Sequence, residues 1–320
     1  MREVIQVTTA IAVALYNGQK FLKTQLDCLK NQTKRAEQVI LCDDGSTDNT
    51  VEIVENYICQ HNLESSWKLL KNDTNLGYIK NFYQAISLCD AELVFLSDQD
   101  DLWKEDKIYE MSKVMEQNAD ILLLSCKYGI IDAHDNQMSS ILEENVREDY
   151  QLKKISVKDI MRAYRWPGMV MCIRKTFFNE IIDYICQTNI PHDLALAICA
   201  ADKEGFYEYD YVGAYHRRHD NNTAREEHRI SKVLNLTRKL HEIAEAVKNL
   251  EYVIDAKLPI SQESYMWISD RLSLQRKRQS ALKNKSLKEI IKLYTNDSQG
   301  LLRKISFICD LWLVCFSKRL

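Results

Sequence analysis

The sequence predicts an α/β domain on a mostly parallel sheet, followed by a helical region. Three observations predict it. Across the first hundred residues or so, a short apolar run, a polar loop and a helix-period segment recur four times, the order that builds parallel sheets. The apolar runs are continuous rather than alternating, as strands covered on both faces require. From about residue 225 the apolar spacing is helical to the end, with Pro259 as a break.

The first run, residues 10–15, ends in Tyr16-Asn17-Gly18 and leads into a helix carrying Phe21, Leu22, Leu26 and Leu29. The second, 39–42, ends in DDGSTDNT before a helical pattern through Val51, Ile53, Val54 and Ile58. The third, 67–70, passes through KNDTNLGYIKNF into a helix over 83–88. The fourth, 92–96, runs into SDQDD ahead of a helix holding Ile108 and Met111. Residues 120–220 read as mixed, with strands at 121–125, 169–173 and 206–215 and a short helix at 193–201.

Composition narrows the class. The chain has 320 residues, three prolines and eight glycines, which argues against a disordered or fibrous protein. Its net charge of −3 is unevenly placed. Residues 1–224 hold 24 Lys+Arg against 35 Asp+Glu, whereas residues 225–320 hold 19 against 11. An acidic body with a basic tail implies two regions with different partners. Ten cysteines are scattered with no Cys-x-x-Cys pair, which reads as reduced thiols in a cytosolic protein rather than a disulfide framework or zinc site. The sequence opens on no secretion signal and holds no apolar window long enough to span a bilayer.

In open parallel sheets, ligands gather outside the carboxyl ends of the strands. The four polar loops all follow predicted strands, so they share one edge. In SDQDD three carboxylates, Asp98, Asp100 and Asp101, occupy four positions, and their mutual repulsion has to be relieved. One reading is an acidic loop capping the next helix. The other is a divalent cation site, since Mg²⁺ or Mn²⁺ takes one or two protein carboxylates when a diphosphate supplies the remaining oxygens. DDGSTDNT likewise reads as a turn in which Ser46, Thr47 or Asp48 caps the next helix, or as carboxylates that accept from a base N–H or a ribose hydroxyl. The phosphate loop Gly-x-x-x-x-Gly-Lys-Ser/Thr, the dinucleotide fingerprint Gly-x-Gly-x-x-Gly and the hydrolase elbow Gly-x-Ser-x-Gly are all missing.

IAVALYNGQKFLKTQLDCLKNQT, VILCDDGSTDNT, NDTNLGYIKNF and AELVFLSDQDDLWKEDKI occur in this order. Together they resemble family 2 glycosyltransferases of the GT-A fold, in particular rhamnosyltransferase-like members that build bacterial surface polysaccharides. The resemblance covers about residues 5–222. It implies a GT-A domain at 1–224, with a nucleotide-sugar half at about 1–110 and an acceptor half at about 111–224, and a helical, basic region at 225–320. It implies donor contacts from Ala14, Tyr16, Asn17, Asp43, Asp44, Asn75, Gly77, Lys80, Asp98 and Gln99. It implies a metal held by Asp98 and Asp100, with Asp101 as the alternative second ligand and His219 completing the site. Asp193 of His192-Asp193 matches the catalytic base, and Asp101, Trp103, Trp166, Gly168 and His192 are acceptor-side candidates. The residues before Tyr16 are Ala14-Leu15 rather than the family's usual pair ending in Thr.

The tail carries its own signal. Residues 271–292 hold eight Lys/Arg against one acid, Glu289. The last segment spaces Leu301, Ile305, Ile308, Trp312 and Cys315 on one helical face, interrupted by Arg303, Lys304 and Asp310. Two readings stand level: a peripheral contact with the membrane, or a helical cap packed on the domain. Nucleic acid is disfavoured, since few aromatics interleave with the basic residues.

These readings combine into an expectation. A metal-dependent, inverting glycosyltransferase would move a hexose from UDP or rhamnose from dTDP to a hydroxyl of a polyprenyl-diphosphate-linked glycan. It would act in the cytoplasm at the inner face of the cell membrane, with a homo-oligomer left open. A nucleotidyltransferase and a non-catalytic scaffold for glycan assembly are the alternatives.

Overall fold

The computed structural model describes residues 6–138, 151–218, 235–297, 300–302 and 304–316. The chain divides into two compact units: Met1–Ile155 with Trp166–Gln187 and Pro191–Asn221, and Ser156–Arg165 with Thr188–Ile190 and Asn222–Leu320.

The first unit begins with four βα repeats. They are β1 (Thr9–Leu15) and α1 (Leu22–Lys30), β2 (Gln38–Asp43) and α2 (Thr50–Gln60), β3 (Trp67–Lys71) and α3 (Tyr78–Leu88), and β4 (Leu93–Ser97) followed by α4 (Lys107–Gln117). A two-residue strand, β5 (Leu102–Trp103), lies between β4 and α4. β6 (Leu123–Ile131), β7 (Leu152–Lys154), β8 (Met171–Arg174), α6 (Lys175–Ile185), α7 (His192–Asp202) and β9 (Phe206–Arg217) complete the unit, and α5 (Val157–Arg162) belongs to the second.

Among the described residues, all nine strands join one sheet in the order β3-β2-β1-β4-β8-β6-β9-β5, with β7 on β9. The first four run parallel, β6 and β9 run parallel, and the ladders to β8, β5 and β7 are antiparallel. Ile11, Val13, Leu41, Leu93 and Phe95 share one core with Leu22 and Leu26 of α1 and Met111 and Met115 of α4. The intervening residues Ala10, Ala12, Ile40, Val94 and Leu96 point to the other face and are buried too, and this covering of both faces is why the central strands are continuously apolar.

The expected elements recur with informative shifts. The strand expected at 169–173 opens instead as a 3₁₀ turn, Gly168–Val170, because Pro167 sends its carbonyl to the Val170 N–H. The strand expected at 121–125 starts later and runs on to Ile131, carried by its long partner β9 through a register shift after Cys126. The helix α6 was not expected, although Phe177, Phe178, Ile181 and Ile185 have helical spacing and are buried.

Among the described residues, the second unit contains α5 and four further helices: α8 (Leu236–Asp255), α9 (Gln262–Lys283), α10 (Leu287–Thr295) and α11 (Lys304–Phe316). Ser261 and Ser286 cap α9 and α10 by accepting the N–H of Ser264 and Glu289. Asp310, expected to interrupt an apolar face, points inward. It accepts two hydrogen bonds from Arg278 (2.6 and 2.8 Å) and one from the Tyr294 hydroxyl (2.8 Å), with both ends of the ion pair buried. Arg271 donates to the Leu301 carbonyl. The basic cluster is therefore partly internal, and Leu301, which precedes α11, is buried rather than part of its face.

Candidate functional site

Register brings the loops together. Leu15 pairs with Asp43 and Val13 with Ser97, so β1, β2 and β4 end at nearly one level. The chain leaves each strand on the same edge, where ligands of open α/β sheets bind.

Side chains then stitch the loops to one another. The Asn17 N–H donates to Ser46 Oγ (2.9 Å), and Asn17 Oδ1 accepts the Thr47 N–H (2.8 Å). The Gly18 N–H donates to Thr50 Oγ1 (2.8 Å). Asp43 accepts both the N–H (3.0 Å) and hydroxyl (2.5 Å) of Ser46. Asp44 accepts the N–H of Leu76 (2.7 Å) and of Gly77 (2.8 Å), plus the Asn72 amide (3.0 Å). Asn75 Nδ2 donates to the Asp44 carbonyl (2.9 Å). Gly77 sits at φ 83, where a side chain would be strained. Lys80 is exposed on α3, and Ala14 lies in β1 next to its last residue.

An amide network behind this loop was not anticipated. Asn81 Nδ2 donates to the Cys42 carbonyl (2.8 Å), Asn72 Nδ2 donates to Asn81 Oδ1 (3.0 Å), and Gln84 Nε2 donates to Asn72 Oδ1 (2.8 Å). The available signal was Asn81 itself, a polar residue on the otherwise apolar, buried face of its helix.

The acidic loop is fixed from two sides. Gln99 pairs with the backbone of Tyr16: the Tyr16 N–H donates to Gln99 Oε1 (2.8 Å) and Gln99 Nε2 donates to the Tyr16 carbonyl (2.9 Å). A Cβ at Gly18 would lie 2.3 Å from Gln99 Oε1, so this crossing needs glycine. Asp101, fully buried, accepts from His216 Nδ1 (3.0 Å) and the Arg217 N–H (3.0 Å) through Oδ1. Arg217 Nε donates to the Asp100 carbonyl (2.7 Å), and the same guanidinium pairs with Asp135. Rather than capping α4, Asp101 ties the loop to β9. No side chain caps α4 at Asp106.

Charge concentrates here. Burial, with Asp101 and Asp100 alongside, holds the Asp98 carboxyl well above the usual range; His216 opposes this and Asp193 adds to it. The His216 imidazole is raised despite burial, by its hydrogen bond to Asp101 and the nearby carboxylates. His216 was missed in the sequence, where His219 was preferred; His219 lies outside the described residues. Behind the loop, Lys107 is buried, donates to the Met169 carbonyl (2.6 Å) and stands 3.3 Å over the Trp103 ring, and burial pushes it down to about 8.

Asp193 lies in the first turn of α7, where its Oδ1 accepts the Leu194 N–H (2.8 Å). Its charge reaches Asp98 and Tyr78. Next to it, His192 is buried and stacked on Phe82 at 4.0 Å, and a Cβ on Gly168 would lie 2.5 Å from its Nε2. Both His192 ring nitrogens are buried without a hydrogen-bond partner, and burial pushes the imidazole down to about 3. Trp103 and Trp166, expected on the acceptor side, are both buried. Trp166 donates to Glu208 (2.6 Å), and Trp103 packs against Lys107, so both back the edge instead of opening on it.

No three His, Cys, Asp or Glu side chains among the described residues form a ready-made metal cluster. The donor set still fits a hard cation that binds together with a diphosphate. Asp101 Oδ2 is buried without a hydrogen-bond partner, and Asp98 and Asp100 are half-buried oxygen donors crowded beside it, their repulsion partly offset by His216.

A mixed sheet with four polar loops on one edge, the fourth acidic, has the layout of a GT-A fold. The sequence profile described as Glycosyl transferase family 2 matches residues 10–178, more than half of the chain, and the chain belongs to that family. Glycosyltransferase GlyG of Streptococcus pneumoniae is 26% identical over 184 residues, covering 54% of this chain and 58% of GlyG. The dTDP-rhamnosyl transferase RfbG of Shigella flexneri is 36% identical over 100 residues, covering 30% of this chain and 34% of RfbG. The alignments thus span about a third to just over half of these relatives' length. Among solved structures, S. aureus TarS in complex with UDP-GlcNAc matches with a TM-score of 0.59 at 14% identity, covering 90% of this chain and 79% of that one, a likeness of fold alone.

Proposed function

We propose that the protein is an inverting, metal-dependent glycosyltransferase. It moves a sugar, a hexose from UDP or rhamnose from dTDP, onto a hydroxyl of a bacterial surface glycan carried on polyprenyl diphosphate. The observation that supports this reading is the convergence of the polar strand-end loops, the last of them acidic, on one sheet edge, with the charge of Asp193 in the first turn of α7 acting on Asp98.

Asp43, Asp44 and the 75–77 loop form the wall for the base and ribose. Much of the Asp43 and Asp44 hydrogen-bonding capacity is already committed to Ser46, Leu76 and Gly77, so these residues shape the wall as well as offering contacts. Asp98 and Asp100 are the residues that would hold Mg²⁺ or Mn²⁺, with Asp101 anchoring their loop through His216 and Arg217. When bound, the cation supplies Lewis-acid stabilisation of the leaving diphosphate. Asp193 takes the acceptor proton as the hydroxyl attacks the anomeric carbon. The positive end of α7 favours its ionised form. A single in-line displacement inverts the anomeric centre and needs no covalent intermediate. His192, held neutral against Phe82, gives Asp193 a wall that adds no charge.

The test is a product assay on a panel of UDP-, GDP- and dTDP-sugars with purified protein. Release of a nucleoside diphosphate supports transfer. Release of pyrophosphate from a nucleoside triphosphate and a sugar phosphate would instead make the protein a nucleotidyltransferase, and turnover of neither would leave a scaffold.

A further inference from the structure

α11 is apolar on two faces. Its inward side, with Phe307, Leu311, Leu313 and Val314, packs with Leu236, Ile243, Leu282, Ile290 and Tyr294 of the second unit. Its outward side carries Ile305, Ile308, Trp312 and Phe316, which are 60%, 67%, 38% and 68% exposed. At about 100° per residue these four fall within a single arc, and Lys304 lies one turn from Ile308 on its flank. α10 repeats the arrangement. Ile290 and Leu293 face inward, while Leu287 and Ile291 form an exposed apolar ridge beside exposed Lys288 and Lys292.

Such a surface has a cost in water, since large contiguous apolar patches on soluble proteins mark interaction sites. The exposed ionic residues of the two helices decide the partner: Lys288, Lys292 and Lys304 against a single acid, Glu289. No described helix is long and apolar enough to cross a membrane. A short helix with an apolar, Trp-bearing arc and a lysine flank matches a surface that lies in the headgroup boundary. Trp312 and Phe316 pack on that arc with ring centroids 5.9 Å apart and planes tilted by 39°, where aromatic rings suit the interface between headgroups and acyl chains.

We propose that the outward faces of α10 and α11 form a docking surface for an anionic lipid bilayer. Ile305, Ile308, Trp312 and Phe316 enter the headgroup boundary, and Lys288, Lys292 and Lys304 meet the lipid phosphates. The buried pair Arg278–Asp310 makes this geometry possible. It draws the one acid of α11 away from the outward face and leaves that face without negative charge. The surface acts independently of the transfer reaction, so its test reads binding alone.

The full chain is floated with vesicles of phosphatidylcholine containing roughly 30% phosphatidylglycerol, and with vesicles of phosphatidylcholine only. It is expected to float with the anionic vesicles and to be released at roughly 1 M salt. Ile308→Ser with Trp312→Ser should weaken flotation at least about tenfold while the protein stays folded, because Ile308 is 67% exposed and Trp312 38% exposed. Lys288→Glu or Lys292→Glu should each weaken it about fivefold. If the double variant unfolds, Ile305→Ser provides the same readout. Flotation of the apolar variants at the wild-type level overturns the proposal. So does failure of the wild type to bind anionic vesicles. A wild-type dimer in light scattering that the Ile308 and Trp312 changes convert to monomer, without vesicle binding, assigns the face to a second copy instead.

Discussion

Gln99 and Tyr16 face each other as if they were neighbouring strand residues. The Gln99 amide donates to the Tyr16 carbonyl and accepts from its N–H, at 2.9 and 2.8 Å. A side chain thus extends the β1–β4 pairing past the end of both strands and locks the acidic loop to the Tyr16-Asn17-Gly18 turn. Gln99→Ala should cost about 1–2 kcal/mol of stability and weaken donor binding more than Lys80→Ala does. Gly18→Ala should reproduce the loss of donor binding, because its methyl would occupy the space of Gln99 Oε1. Urea melts and donor calorimetry on the three variants check this.

Metal removal gives a second outcome. EDTA should abolish transfer, and Asp98→Asn or Asp100→Ala should abolish Mg²⁺- or Mn²⁺-dependent donor binding. Asp98→Asn should also raise the melting temperature of the metal-free protein, since a neutral amide needs no proton to sit in this buried, carboxylate-crowded site. Full transfer activity in EDTA would sink the metal reading.

Asp193→Asn keeps the shape of the first turn of α7 but cannot take a proton. Transfer should fall by about 10²- to 10⁴-fold while donor affinity barely changes. Product NMR should show the anomeric configuration opposite to the donor. Transfer at the wild-type rate, or a retained configuration, would return Asp193 to a purely structural role.

His192 sets an acid limit. Its folded pKa of about 3 lies below the ordinary value of 6.5, so the stability it contributes is present above pH 6.5 and is lost as pH falls toward 3. The loss should approach about 1.4 kcal/mol per pH unit within that window. The groups that face it are Phe82, Tyr78 and Gly168, with the Asp193 carboxylate next in the chain. The raised Asp98 carboxyl acts in the opposite direction. His192→Leu should therefore be less acid-sensitive than the wild type, as measured by urea melts at about pH 7 and about pH 5. An unchanged slope would show that the ring is protonated at little cost.

The helical unit depends on one ion pair. Arg278→Ala or Asp310→Ala leaves a buried charge alone and should cost about 3–5 kcal/mol. Replacing both, Arg278→Met with Asp310→Leu, should recover most of that loss. Thermal melts followed by circular dichroism test whether the pair behaves this way.

The sequence by itself determined the repeating βα core, the polar loops at its strand ends, the family, and the helices of the tail. These features are local. An apolar run of five or six residues, a Gly-containing turn and a 3.6-residue period can all be read within a short window. Gly18, Asp44 and Asp98 could be placed on one edge because connectivity alone puts them there.

Tertiary structure decided what each side chain meets. His216 and Asp101 are 115 residues apart, and only the register of β9 with β5 and β6 brings them together. The same holds for Arg278 and Asp310, where the period of α11 could not say which of its faces is turned inward. Trp103 and Trp166 were acceptor-side candidates, yet the sheet packs both into its interior. Burial is a property of the whole assembly of elements, and a buried polar group declares itself only through partners from distant segments. Strand edges can therefore be found from sequence, whereas the charge balance at an edge depends on long-range pairing.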